Sequence, residues 1–288
     1  MDFKKFKASQ SKLKDSIKKL AQPATNSYAD DRFWTMKKDT VGNALATLRF
    51  LPQKDPSESP MVLTFRHAFQ SAGKWFIEEC PHTIGEKCPV CEHSSAIWNE
   101  NETEARKHWR SKSYIANILV VKDKANPENE GKVFLYKFGK KIADKILERI
   151  SDEDDGVNVF DITNGLDFKL KCTQVSNYNN FDTSSFAFKS TEVADGKEDL
   201  QEEIYNQIHE LKEFMDPSKF KSYDVLQKKL LGAKTANRVP SLESEFSKEA
   251  RKKPVVEETK EAVPFDPDKI DLDSDEGSDI DFDSLLSD

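Results

Sequence analysis

The stretch Val62-Leu-Thr-Phe-Arg-His67-Ala-Phe-Gln-Ser71-Ala-Gly-Lys74-Trp-Phe-Ile-Glu-Glu-Cys80, with the turn Cys88-Pro89-Val90-Cys91 that follows it, decides how this chain is read. Leu63, Phe65 and Phe69 keep the two-residue period of a strand, and 75–80 forms a second strand candidate beyond Ser71-Ala72-Gly73-Lys74. If Ala72-Gly73 is the centre of a hairpin turn, His67 falls opposite Glu78, and Cys80 lies diagonally across on the same face. A CxxC turn puts two sulfurs within reach of one ion, and Pro89 pre-sets its backbone. His67, Cys80, Cys88 and Cys91 are therefore the candidate ligands of one Zn2+ ion. Three thiolates and an imidazole leave no open position, which describes a structural site that staples a segment too small to fold alone. His82 and His93 are rival ligands placed second, because His82 sits in the loop and His93 follows the CxxC turn too closely. Cys172 lies in Lys169-Leu170-Lys171-Cys172, outside the cluster, and reads as a packed thiol.

Catalysis finds little support around that cluster. A zinc deaminase needs H-x-E and P-C-x-x-C, but Ala68-Phe69 follow His67 and Lys87 precedes Cys88. HExxH and G-x-S-x-G are absent. The ten glycines are too widely spaced to write GxGxxG or GxxxxGK[ST], which excludes a P-loop ATPase and a glycine-fingerprint dinucleotide enzyme.

Outward from the hairpin, the pattern predicts further strands at 45–51, 114–122, 132–138 and 167–175. Helices are expected at 140–150, where Ile142, Ile146 and Ile150 recur at i+4, and at 198–215 and 223–231. Short strands with long connections and a few helices fit a mixed β fold. The core expected from it is a five-stranded Greek-key barrel of OB type with helical additions.

A second constellation runs from 105 to 145. It holds eleven Lys and Arg against four acids, interleaved with Trp109, Tyr114, Phe134, Tyr136 and Phe138. Cations spaced along a strand-rich surface with rings between them suit single-stranded nucleic acid: the cations track phosphates and the rings stack on bases. Arg106, Lys107, Arg110, Lys112, Lys137, Lys140 and Lys141 are the candidate cations. On 133–138, alternation separates Phe134, Tyr136 and Phe138 from Val133, Leu135 and Lys137. Phe134 and Phe138 read as core, and Tyr136, with its polar tip, as the ring for a base. Asn177-Tyr178-Asn179-Asn180-Phe181 displays two more rings in a polar loop.

Charge divides the 288 residues unevenly. Residues 1–20 carry seven lysines and a net charge of +5, and 255–288 carry thirteen acids and a net charge of −11, within a total of −8. The basic arm has helical spacing at Leu13, Ile17 and Leu20 and suits contact with nucleic acid, a neighbouring copy or the acidic end. The acidic tail, with Ile280, Phe282, Leu285 and Leu286 between aspartates, is expected to be disordered. It suits basic, apolar-lined grooves on partner proteins, or it mimics nucleic acid at this chain's own basic surface. No apolar run exceeds four residues, as at Ile118-Leu119-Val120-Val121, too short to span a bilayer. The N-terminus lacks the apolar stretch of a secretory signal.

Several strings resemble one known family. They are Leu48-Arg49-Phe50-Leu51-Pro52, Gly73-Lys74-Trp75, Ser113-Tyr114, Ala116-Asn117-Ile118-Leu119-Val120-Val121-Lys122-Asp123, Pro127-Glu-Asn-Glu-Gly-Lys-Val-Phe134 and Phe138-Gly-Lys-Lys-Ile142, together with the four metal ligands. Over roughly 33–230 the chain is similar to the T4-type bacteriophage single-stranded DNA-binding proteins. The resemblance implies an OB-fold core with an inserted zinc subdomain at about 62–112, a cleft for single-stranded DNA and no catalysis. It carries over Arg49, Arg110, Lys137, Lys140 and Lys141 as binding cations, and Trp98, Tyr114, Tyr136, Tyr178 and Phe181 as rings. Ile115 stands where the family has a tryptophan. The implied organisation is a basic arm (1–21, with Lys4, Lys5 and Lys7) that contacts neighbouring copies and makes binding cooperative. It is followed by a strand-binding core (22–239) and an acidic tail (240–288). The tail would recruit replication, recombination and repair proteins, including the polymerase, helicase loader and recombinase, in the cytoplasm of the infected bacterium. A zinc-containing single-stranded RNA-binding translational regulator is the alternative that shares the same surface.

Overall fold

One long strand organises the molecule. The computed structural model describes residues 30–71, 74–152, 156–176 and 178–235, and at its centre lies β4 (Arg110–Asp123). Three antiparallel neighbours share it. β2 (Met61–Ser71) pairs with its first half, from His67 opposite Arg110 to Met61 opposite Ala116. β1 (Ala44–Leu51) pairs with its second half, from Leu51 opposite Asn117 to Ala46 opposite Asp123. β5 (Val133–Phe138) takes the other edge, from Tyr114 opposite Phe138 to Leu119 opposite Val133. β3 (Lys74–Glu79) closes a hairpin on β2, and β6 (Asp167–Val175) extends the sheet beyond β1. β7 (Tyr178–Asn180) and β8 (Ser185–Phe186) run back along β6. Among the described residues the result is an open, all-antiparallel sheet with helices.

Proline at one start and a capping side chain at the other mark where the first two helices begin. α1 (Pro89–Ile97) starts with Cys88 at its N-cap and proline in its first turn, and α2 (Glu102–His108) is capped by the Asn101 side chain, which accepts from the Glu104 N–H at 3.1 Å. Glu102 and Glu104 in its first turn and Arg106 and Lys107 in its last complement the helix dipole. α3 (Lys140–Ser151) follows β5 directly. The helix expected at 198–215 is instead α4 (Glu198–Gln207), with a separate 3-10 turn at Leu211–Met215. The buried Asn117 amide causes the break. It donates to the His209 carbonyl at 2.9 Å and accepts from the His209 N–H at 3.0 Å, holding that backbone extended. α5 (Tyr223–Thr235) is the last described element.

Among the described residues, three apolar clusters hold these elements together. The largest puts Phe50, Ile118, Tyr136, Phe138 and Phe168 of the sheet against Ile142 and Ile146 of α3. A second, on the opposite face, joins Leu51, Leu119 and Val133 to Ile204 and Ile208. β5 is therefore buried on both faces, Val133 and Leu135 as well as Tyr136 and Phe138. This corrects the expectation that Tyr136 is the ring of this strand that offers its face to a base. Tyr136 packs edge-on against Trp34 at 5.5 Å and stacks on Phe138. The third cluster joins Phe69, Phe76, Val90 and the three clustered cysteines to Leu226 and Leu230 of α5. Lys221 and Lys229 both reach Glu78 and tie the α5 end of the chain onto the hairpin.

The described residues 34–235 belong to one compact unit. Residues 30–33 fall in a second unit, in which Arg32 pairs with Asp30 at 2.6 Å. No helix among the described residues is long and apolar enough to cross a membrane.

Candidate metal centre and nucleic-acid interface

His67 pairs with Glu78 across the β2–β3 hairpin, the register that a turn centred on Ala72-Gly73 dictates, although those two residues lie outside the described ones. Cys80 follows β3 directly, and its backbone N–H bonds to the Phe65 carbonyl at 2.8 Å. Gly85, at φ 78°, closes the 3-10 turn Pro81–Ile84 in the left-handed region that favours glycine. Cys88 and Cys91 then enter at the start of α1.

The ligand atoms of His67, Cys80, Cys88 and Cys91 lie within 4.8 Å of one another, and all four residues are buried. His67 Nε2 is 3.4 Å from Cys88 Sγ and 3.5 Å from Cys91 Sγ, and the Cys80 and Cys91 sulfurs are 3.6 Å apart. A tetrahedral ion with arms of about 2.3 Å needs ligand atoms about 3.8 Å apart, so this cage is the right size for one ion. His67 Nδ1 sits 3.0 Å from the His108 carbonyl. In the neutral imidazole, donation to that oxygen leaves the lone pair on Nε2, turned toward the sulfurs. Burial pulls the His67 imidazole down, but its contacts with Cys88 and Cys91 outweigh this and push it up to about 9. Hydrogen bonds from Cys80 and Cys91 hold the Cys88 thiol well below its usual range. Cys88 thus favours the thiolate, the form that binds metal, while hydrogen bonds to Cys88 and Cys91, with burial, push the Cys80 thiol up. Three thiolates around a divalent ion leave one net negative charge, and Arg110 Nη1 stands 3.6 Å from Cys91 Sγ to balance it. The arrangement can hold one metal ion. His82 and His93 lie outside the cage, and Cys172 is a buried thiol on β6.

From this centre a chain of rings and cations runs toward β5. Trp98 and Trp109 meet edge-on at 5.4 Å, with the Arg106 guanidinium 5.5 Å from the Trp98 ring. Arg110 lies 4.6 Å over Phe65 and 5.7 Å from Trp109. Two residues on, the Lys112 ammonium is 5.9 Å from the Tyr114 ring, which stacks on Phe138 at the same separation. Phe138 leads through Gly139 into Lys140 and Lys141, and Lys141 pairs with Asp182 at 3.0 Å in the loop that carries Phe181.

The structure sorts the sequence-derived contact residues into two groups. Trp98, Arg106, Lys107, Trp109, Lys112, Tyr114, Lys137, Lys140, Lys141, Tyr178 and Phe181 keep exposed or half-exposed surface. Arg106 and Lys107 pair with Glu102 and Glu104 on solvated surface, contacts weak enough to exchange for a phosphate. Lys137 belongs to the opposite face of β5 from Phe138. Arg49, Arg110 and Tyr136 are buried. The expectation that Arg49 offers its charge to DNA is corrected by its contacts: it bonds Asp167 at 2.9 Å and the Thr191 carbonyl at 3.0 Å, with 1% of its surface exposed. Arg110 is bound up with the metal cage. Lys4, Lys5, Lys7, Ile280, Phe282, Leu285 and Leu286 lie outside the described residues. Sequence reasoning missed the His108 carbonyl, a backbone group with no side-chain signature. It also missed Glu78 as the anchor for Lys221 and Lys229, a contact between positions far apart in the chain.

A buried cage of one histidine and three cysteines that can hold a metal ion, continuous with a half-exposed ladder of rings and cations, is the surface of a nucleic-acid-binding protein. A family model described as gp32 DNA binding protein like matches residues 42–233. The single-stranded DNA-binding protein of Enterobacteria phage T4 is 42% identical over 211 residues, covering 70% of each chain. That of Enterobacteria phage T2 is 40% identical over 230 residues, covering 77% of this chain and 76% of its own. The same-named protein of Enterobacteria phage RB70 is 34% identical over 111 residues, 37% of this chain and 95% of its own. The chain belongs to the gp32-like DNA-binding family.

Proposed function

We propose that this chain is a cooperative, sequence-nonspecific single-stranded DNA-binding protein that coats and protects exposed strands and catalyses no reaction. The observation that carries this reading is the ring–cation ladder from Trp98 through Lys112 and Tyr114 to Lys141. Rings accept any base and cations follow any phosphate, so such a surface binds single strands regardless of sequence. Its β-strand platform is an OB-type barrel core. The metal is Zn2+, because three thiolates and one imidazole in a cage of tetrahedral size are its preferred donors. The ion is structural and positions β2, β3 and α1 beside the ladder.

The same reading divides the chain into a basic arm (1–21), a strand-binding core (22–239) with its zinc subdomain at about 62–112, and an acidic tail (240–288). Lys4, Lys5 and Lys7 of the arm engage the neighbouring copy. Ile280, Phe282, Leu285 and Leu286 of the tail engage phage replication, recombination and repair proteins in the host cytoplasm, including the polymerase, helicase loader and recombinase. The charge asymmetry between the two ends supports both assignments.

Quenching of tryptophan and tyrosine emission tests the core of the proposal. Poly(dT) should quench strongly, with affinity falling steeply as salt rises, and duplex DNA should not. Equal affinity for duplex would overturn it, and a clear preference for poly(U) over poly(dT) would favour an RNA-binding regulator.

A further inference from the structure

Phe188 stands apart from every other aromatic residue in the exposed set. Its surface is 104% exposed, against 46% for Tyr178 and 37% for Trp75. It lies in a short loop, 187–190, whose two ends are fixed. The Ala187 N–H bonds the Asp167 carbonyl at 2.8 Å, and the Thr191 N–H bonds the Gly165 carbonyl at 3.1 Å. Arg49 locks the second end by donating to the Thr191 carbonyl at 3.0 Å and to its hydroxyl at 2.5 Å. The ring is thus held out in water by a braced loop. Keeping a phenylalanine there forgoes all the stabilisation its burial would bring.

The surroundings say what it is held out for. The return segment 178–188 runs antiparallel along β6, with Tyr178 opposite Val175 at one end and Phe186 opposite Phe168 near the other. The stretch of β6 from Val175 to Phe168 beside it is about 23 Å long at strand rise. The return segment carries Tyr178 and Phe181 at one end and Phe188 at the other. The exposed lysines Lys169 and Lys171 lie on β6 between them, and Lys189 adjoins Phe188. Rings at both ends with cations between repeat, on this edge of the sheet, the chemistry of the ladder on β4.

We propose that the 187–190 loop is an added stacking element for single-stranded DNA, in which the Phe188 ring takes one nucleobase and Lys189 the adjoining phosphate. This rests on the single-strand reading above and extends its surface along the β6–β8 edge. Arg49, which sequence reasoning placed on the DNA, then becomes a positioning residue that braces the loop.

The test uses the full chain and three variants, Phe188→Ala, Phe188→Leu and Phe188→Trp. They are titrated with poly(dT) and with an oligo(dT) of about eight nucleotides, the scale of one OB-type site. Because the ring has no packing to lose, all three should melt at the wild-type temperature. Phe188→Ala and Phe188→Leu should both lose about tenfold in affinity for either ligand, the effect of one stacked base. Phe188→Trp should keep wild-type affinity and gain an emission that the short oligonucleotide quenches. The proposal is overturned if Phe188→Ala binds like wild type, or if Phe188→Leu restores full affinity. It is also overturned if the loss occurs on poly(dT) but not on the short oligonucleotide, since the ring would then touch a neighbouring copy. Wild-type protein that fails to bind either ligand would instead sink the single-strand reading itself.

Discussion

At the Arg110 end of β4, alternate side chains on one face are Arg110, Lys112 and Tyr114, in contact with Phe65, Trp109 and Phe138. Toward Asp123 the same face carries Ala116, Ile118 and Val120, each with no exposed surface. Strand geometry is constant along β4, so the contrast comes from what lies over each half. α3 and the sheet's own aromatic residues cover the second half and require side chains that lose nothing by leaving water. The metal hairpin borders the first half through β2, leaving Lys112 and Tyr114 half-exposed. One half of the strand holds the fold, and the other offers rings and charge.

The largest effect expected from separating the halves is at the metal. Cys88→Ser, or chelation, should release the ion and open the 62–112 module, since structural zinc contributes apparent binding energies of roughly 10–16 kcal/mol to small domains. Limited proteolysis should then cut within 62–112 while leaving β1, β5, β6 and the second half of β4 protected. A variant that retains its melting temperature without metal would contradict the separation. Next, Ile118→Ala and Tyr114→Leu compare the two halves directly. Ile118→Ala should cost about 2–5 kcal/mol of stability by opening a cavity in the main core. Tyr114→Leu keeps an apolar side chain and removes the stacking face, so it should weaken poly(dT) binding by about 1–3 kcal/mol with a small change in melting temperature. Equal loss of stability in the two variants would erase the contrast.

The smallest effect concerns the link between the ladder and the Phe181 loop. The Asn180 amide, and then the Lys141 ammonium, hold the Asp182 carboxyl below its ordinary range. A carboxyl with a depressed folded pKa contributes stability above its unfolded value, about 3.9, and that contribution is lost as pH falls through the folded value. The pair is solvated, so the gain is under about 1 kcal/mol. Carboxyl NMR should show Asp182 titrating below pH 3.9, and Asp182→Asn should remove a small acid-side loss in melting temperature. An Asp182 that titrates at its ordinary value would show that the loop is not tied to Lys141.

Much of this was legible before the fold was known, and the legible parts share a cause. Strands at 45–51, 62–69 and 167–175, the helix beginning at Lys140 and the His67–Glu78 register follow from period, turn chemistry and spacing along the chain. So does the four-residue metal cage, because a hairpin and a CxxC turn bring its donors together with few free choices. α1 and α2 went unread, being too short to show a periodic apolar face, although Pro89 and Asn101 marked their starts.

Exposure belonged to the tertiary structure. Tyr136 looked like a surface ring until Trp34, a hundred residues earlier, packed edge-on against it on the core face it shares with Phe138. Arg49 looked like a phosphate contact until Asp167 and Thr191, more than a hundred residues away, claimed its guanidinium. The helix expected at 198–215 ends early because Asn117, on β4, takes the His209 backbone. Phe188 has the residue type of a core position and ends in open water. Covalent spacing and local propensity determine which groups can meet across a short turn. Whether a ring or a charge faces solvent depends on which distant surface folds over it, and only the packed chain decides that.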